Sequence, residues 1–147
     1  MENFKELKNE MMEIAQSISK NNDEIRKAAI KISDEISEIV KISGVEFLTE
    51  KLWENKVVGG DYDTDYLRYA LRFTKERVYV LCSSCHWTED MFTDPNFVSQ
   101  YTVNEVKIHR VYQMLEHLAD ALEMYRDAVR RRHRRTKVLT TFLKKFQ

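Results

Sequence analysis

The sequence is poor in residues that break regular structure. Its 147 residues include only three glycines and one proline, whereas a third of the residues are charged. All-β folds rich in turns need more glycine and proline than this, and a high share of charged residues is typical of long solvated helices. The composition therefore predicts a helix-dominated chain, and the length fits a single domain over residues 1–147.

Cysteine and long apolar runs are scarce as well. Cys82 and Cys85 are too few for a disulfide-stabilised secreted protein. No apolar run approaches the roughly 20 residues that a membrane-spanning helix needs. Residues 1–20 also lack the apolar block of a signal peptide. We therefore expect an intracellular, cytoplasmic protein without a membrane partner.

The charges are unevenly distributed although the formal net charge is zero. Residues 1–56 carry twelve acids and nine bases, and residues 57–101 carry seven acids and four bases. Residues 102–147 reverse the sign with five acids and eleven bases. The C-terminal third is therefore a basic segment that follows two mildly acidic ones.

Apolar residues in the first third recur at steps of three and four, which predicts a long amphipathic helix over residues 1–43. Gly44 marks its expected end, and Ser43 with Glu46 has the spacing of a capping box, so a short helix is expected over residues 44–56. The apolar stripe of the long helix consists of Phe4, Leu7, Met11, Ile14, Ile18, Ile25, Ala29, Ile32, Ile36 and Ile39.

Residues 57–101 predict a β-containing insert. Apolar and polar residues alternate from Leu67 to Phe73 and again from Val78 to Cys82, which is typical of two half-buried strands. The short connection over residues 74–77 favours an antiparallel hairpin. Asp94 and Pro95 predict a loop before the last helix.

The last third predicts a long basic helix over residues 102–147, opened by a second capping-box spacing at Thr102 and Glu105. The two long helices are expected to pair antiparallel, and homo-oligomerisation is expected to cover the apolar surface that a pair leaves exposed. The near-heptad stripe predicted as the oligomer seam consists of Ile108, Val111, Leu115, Leu118, Leu122, Tyr125 and Val129.

The predicted fold class is thus α+β and predominantly α. Two long, coiled-coil-like amphipathic helices flank a short helix and a small antiparallel β-hairpin insert.

Basic residues are concentrated in residues 126–137, hereafter the arginine segment, which holds seven Lys or Arg in twelve positions. The planar guanidinium fork suits phosphate groups, so nucleic acid is one expected partner. Ion pairing with Glu10 and Glu13 of the first helix is the competing interpretation, and a membrane or an acidic protein groove is less favoured. The candidate partner-binding residues are Arg126, Arg130, Arg131, Arg134, Arg135 and Lys137.

Two weaker patterns concern metals. Cys82, Cys85 and His86 match the C-x-x-C-H haem-attachment spacing and could also ligate zinc, but only one ligand pair is visible, so no cofactor is expected. Asp61, Asp63 and Asp65 alternate as at the start of a calcium loop. The glycine and glutamate that such a loop needs are absent from the following positions.

No catalytic residues are assigned, because the sequence contains no phosphate loop, nucleophile elbow or dinucleotide fingerprint. It favours a non-enzymatic protein that oligomerises and binds a macromolecular partner, as a regulator or inhibitor of a nucleic-acid-handling complex of the phage or mobile-element type. One alternative is direct nucleic-acid binding through the arginine segment, with exposed aromatic residues of the insert stacking on bases. The candidate aromatics are Tyr66, Tyr69, Phe73, Tyr79 and Trp87. The other alternative is a metal-binding protein or metal-dependent enzyme. No small-molecule substrate is indicated.

Overall fold

The computed structural model describes residues 2–59, 63–88 and 91–147. In chain order, one long helix precedes and one follows an antiparallel sheet, so the structure has the predicted α+β class. Helix α1 spans Glu2–Ser43, and helix α2 spans Ile108–Lys144. The strands between them are β1 (Phe47–Leu48), β2 (Trp53–Gly59), β3 (Asp63–Phe73), β4 (Val78–Thr88) and β5 (Met91–Thr102).

Strands β3, β4 and β5 form a meander, and β1 and β2 share the remaining edge of β3. The predicted hairpin is present, with Phe73 paired to Val78 across the turn. Thr74 holds this turn without an Asn-Gly pair, since its Oγ1 donates to the Arg77 carbonyl at 2.8 Å and accepts the Arg77 N–H at 3.1 Å. A threonine side chain thus supplies the bonds that close the turn.

The short helix predicted over residues 44–56 is wrong, because this segment forms β1 and β2. Gly44 has φ +71° and donates its N–H to the Val40 carbonyl at 2.8 Å, which ends α1 in a left-handed cap. Ser43 Oγ then accepts the Val45 N–H at 3.1 Å and does not cap a second helix. The chain continues extended, because the edge of β3 offers backbone partners that a local capping pattern does not reveal.

Thr49 secures this edge to β3. Its backbone N–H donates to the Leu71 carbonyl at 2.9 Å, while its Oγ1 accepts the Leu71 N–H at 2.9 Å. Leu52 N–H donates to the Tyr69 carbonyl at 2.8 Å. The backbone of β3 is therefore also paired between β1 and β2.

Two further expectations near the last helix were wrong. The Asp94–Pro95 pair lies within β5, where the pairing with β4 shifts register between Ser84 and His86. A proline is tolerated there because the bulge lies in an edge strand. Helix α2 begins at Ile108 and not at Thr102, whose carbonyl accepts the N–H groups of Glu105 and Val106 in a turn.

Both helices pack on one face of the sheet, and the core lies between them and that face. Phe73 is fully buried, with its ring 5.2 Å from that of Tyr125 in an edge-on contact. The rest of this core includes Ala29, Ile36 and Val40 of α1, Trp53, Tyr69, Leu71, Val78 and Val80 of the sheet, Val111, Met114, Leu118 and Ala121 of α2, and Val45, Val103 and Val106 between these elements.

The helices run in the same general direction, so the predicted antiparallel pairing is wrong. Tyr112 donates its hydroxyl proton to Asn22 Oδ1. Thirteen residues later, Tyr125 OH lies 3.3 Å from Ser43 Oγ and donates to the Val45 carbonyl at 2.8 Å. In both helices, the second contact lies C-terminal to the first, so the two helices run parallel. The N-terminal half of α1 and the C-terminal half of α2 therefore extend beyond the core at opposite ends. We call these two projecting halves the overhangs.

The two faces of the sheet predict very different costs for leucine truncation. Leu71 is fully buried in the core, whereas Leu48, paired with Arg72 on the outer face, is 55% exposed. We expect Leu71→Ala to lower the free energy of unfolding by roughly 2–5 kcal/mol, because it leaves a cavity. The matched control Leu48→Ala should cost less than about 1 kcal/mol. Chemical denaturation followed by circular dichroism measures both, and similar costs would contradict this packing.

Candidate interaction surfaces

The arginine segment lies on the projecting half of α2. Every residue from Arg130 to Gln147 is exposed, and the helix continues to Lys144. Among the residues that the structure describes, Arg126 pairs with Asp127 at 3.6 Å, and no acid is within ion-pair distance of the other basic residues of the segment. The predicted pairing with Glu10 and Glu13 is therefore wrong within one chain, because α1 extends away from this end.

Four of the basic residues share one side of the helix. At 100° per residue, Arg126, Arg130, Arg134 and Lys137 fall within an arc of about 80°. We call these four the basic face. Around the helix axis, Arg131 and Arg135 lie about 60–180° from the four residues of the basic face, toward the side that carries the apolar residues. A continuous helix therefore divides the predicted candidates into two groups.

Each helix carries its apolar stripe past the core. The N-terminal stripe consists of Phe4, Leu7, Met11, Ile14 and Ile18, and each of these side chains is more than half exposed. The C-terminal stripe consists of Leu139, Phe142, Leu143 and Phe146, which are likewise more than half exposed. Such contiguous apolar surfaces are typical of interaction sites.

The predicted oligomer seam lies for the most part in the core of the chain itself. Val111, Leu118 and Tyr125 are buried, while Ile108, Leu115 and Val129 pack against the core and Leu122 is 37% exposed. Heptad-like spacing identified a buried face correctly, but the sheet and α1 cover it. Except for Leu122, these side chains are buried or only partly exposed, whereas the side chains of the two stripes are all more than half exposed.

The Cys82–Cys85 segment forms part of a continuous strand. Cys82 pairs with Tyr69 on the inner face and lines a cavity of about 360 Å³, whereas Cys85 is buried and pairs with Tyr66. Residues three apart on a strand point to opposite faces, so the two thiols do not converge on one ion. The side chain of His86 lies outside the described residues.

The acidic triplet of the insert is not described at the level of side chains. Asp61 and the side chains of Asp63 and Asp65 fall outside the described residues. Elsewhere in the described part of the chain, no group of three or more His, Cys, Asp or Glu side chains is placed to hold a metal ion.

The insert aromatics expected to stack on bases are instead core residues in two cases. Phe73 is fully buried and Tyr69 is 3% exposed. Trp53 stacks between Tyr69 and His117, with ring centroids 4.9 and 5.3 Å away. The Arg110 guanidinium lies 4.5 Å from the centroid of Tyr69. This stack joins β2 and β3 to α2 and is not accessible to a nucleobase.

Comparison with models of protein families, with curated proteins and with solved structures finds no match to this chain. Within the described ranges, neither helix contains a stretch apolar and long enough to cross a bilayer. Function is therefore inferred from the two stripes and the basic face.

The buried phenol of Tyr69 predicts a stability change at high pH. Burial raises the pKa of Tyr69 to about 12, and the hydrogen bond with Cys82 acts in the same direction, while the nearby Arg110 charge opposes it. Because the folded chain retains this proton to higher pH than the unfolded chain, its contribution is complete below about pH 10 and declines between about pH 10 and 12.

Tyr69→Phe removes this titration while keeping the ring. The free energy of unfolding of the variant should therefore fall less between about pH 10 and 12 than that of the unchanged chain. Denaturant titrations at several pH values in this window measure the difference. An identical decline in the two proteins would contradict the assignment.

Proposed function

We propose that this chain is a non-enzymatic interaction protein that forms a homodimer through its projecting helix halves and presents the arginine segment to a macromolecular partner. The observation that carries the proposal is the pair of exposed apolar stripes at opposite ends of the molecule. Burying apolar side chains of this size stabilises an interface by on the order of 1 kcal/mol each when they start half exposed.

The direction of the two overhangs favours an antiparallel dimer. When a second copy is turned by 180°, its C-terminal stripe lies beside the N-terminal stripe of the first copy, and the reverse contact forms at the other end. The same pair of surfaces is used twice, as in a closed two-fold assembly. Both stripes are then covered, whereas a single end-to-end contact leaves one stripe of each copy exposed.

Charge complementarity supports contact between unlike stripes. Residues 2–20 contain four acids and three bases, whereas residues 126–147 contain one acid and nine bases. Glu6, Glu10 and Glu13 lie along one flank of the N-terminal stripe, and Arg131 and Arg135 lie on the apolar side of α2. Two C-terminal stripes placed together would instead bring like charges into contact, which opposes that pairing.

Arg132 and Thr136 lie within the line of the α2 stripe between Val129 and Leu139. A polar position inside an apolar seam sets register and partner choice in helical assemblies. An acid of the partner copy that faces Arg132 would satisfy this charge. The proposed role of the dimer as a regulator or inhibitor of a nucleic-acid-handling complex rests on the arginine segment alone.

Sedimentation equilibrium tests the dimer. The 17.6 kDa chain should have the mass of two copies at micromolar concentration. Leu7→Glu with Ile14→Glu should give monomers, and so should Leu139→Glu with Leu143→Glu, because each contact needs one stripe of each kind. The control Ile42→Glu with Leu48→Glu adds the same charge at exposed positions outside the stripes and should remain dimeric.

A monomeric chain at all concentrations would overturn the proposed function. So would dimers that persist when both stripes carry glutamate. Circular dichroism of each variant checks that the sheet and helices are retained.

A further inference from the structure

We infer that the basic face binds the phosphate backbone of nucleic acid. This inference rests on the proposed function and names its partner by chemistry. The basic face is Arg126, Arg130, Arg134 and Lys137, which rise along one side of α2 over about 16 Å. Lys144 continues the same line on the helix, about 27 Å from Arg126. A straight row of cations matches a linear polyanion better than it matches a compact ligand.

Arg126 pairs with Asp127 at 3.6 Å, whereas the surroundings leave the other three cations of the basic face available. Arg130, Arg134 and Lys137 are exposed, and in the described part of the chain no acid pairs with them. Residues 126–147 contain Asp127 as their one acid against nine bases. Because the N-terminal half of α1 projects from the other end, the acids of that half do not screen the face. The positive potential of the basic face is therefore accessible to a binding partner.

The position of the basic face relative to the apolar stripe favours nucleic acid over a membrane. The C-terminal stripe lies on roughly the opposite side of the helix. A helix that inserted this stripe into a bilayer would direct Arg130 and Arg134 away from the lipid headgroups. In the proposed dimer, in contrast, the stripe contacts the second copy while the basic face remains exposed. Both surfaces are then used at the same time.

The chemistry of the side chains points to backbone contacts without sequence readout. Three of the four cations are arginines, whose planar forks donate two parallel hydrogen bonds to a phosphate. The buried rings of Tyr69 and Phe73 offer no stacking platform. Affinity should therefore depend strongly on salt and little on base sequence.

Fluorescence anisotropy with a labelled duplex DNA of about 20 base pairs tests the inference on the full chain. With four phosphate contacts, affinity should fall on the order of a hundredfold between 50 and 200 mM salt. Arg130→Ala with Arg134→Ala should reduce this dependence to about tenfold, since two contacts are lost. A second duplex of unrelated sequence should bind with similar affinity.

Arg72→Ala with Lys75→Ala is the matched control, because it removes the same charge from exposed positions at the β3–β4 turn, away from the basic face and from both stripes. This pair should keep the salt dependence of the unchanged chain. Equal losses for the two pairs would overturn the basic face as the binding surface. Absence of DNA binding at 50 mM salt, or binding to phosphatidylserine vesicles without binding to DNA, would overturn the inference.

Sedimentation of the same samples separates this inference from the dimer. A dimeric chain that does not bind DNA contradicts the phosphate partner and leaves the self-association intact. A monomeric chain that binds DNA with the expected salt dependence contradicts the dimer and supports the basic face. Arg130→Ala with Arg134→Ala should remain dimeric, because these residues lie away from both stripes.

Discussion

The constraint on which this structure depends is the short span of the core relative to the helices. Buried residues of α1 run from Ala29 to Val40, and those of α2 run from Val111 to Tyr125. These stretches cover about 17 and 21 Å of helices that are about 63 and 55 Å long. The apolar stripes continue past the core, and parallel contacts direct the two overhangs to opposite ends. The exposed apolar stripes and the position of the arginine segment away from the core both follow from this difference in length between the helices and the core.

Periodicity in the sequence predicted the features that depend on local pattern. Steps of three and four identified the stripes of both helices, and alternation identified the hairpin around Thr74. Non-local pairing decided the rest. Ser43 and Glu46 have helix-capping spacing, yet strands form within residues 47–59, because their backbone groups hydrogen-bond to the edge of β3. The direction of α2 depends on where β5 ends, which no local pattern encodes.

The composition of the candidate interaction surfaces was predictable from the sequence, but their exposure was not. The count of arginines located the arginine segment, whereas its exposure depends on where the core ends along α2. Heptad-like spacing marked Val111, Leu118 and Tyr125 as a buried face without showing that the sheet of the same chain covers it. The spacing of apolar residues shows that one face of a helix is apolar, but the topology of the fold determines which element covers that face. Alternation of hydrophobicity likewise did not reveal that Cys82 and Cys85 lie on one continuous strand, where residues three apart point to opposite faces.

A pulsed electron spin resonance distance tests the central claim most directly. Labels at Lys8→Cys and Thr141→Cys, in a chain that also carries Cys82→Ala and Cys85→Ala, report on the ends of the two overhangs. In a large excess of unlabelled chain, opposite projection predicts an intramolecular distance on the order of 60 Å. Without dilution, the antiparallel dimer adds a distance of roughly 20 Å between copies. A distance of roughly 20 Å in the diluted sample would mean that the helices fold back on each other, and would contradict the account.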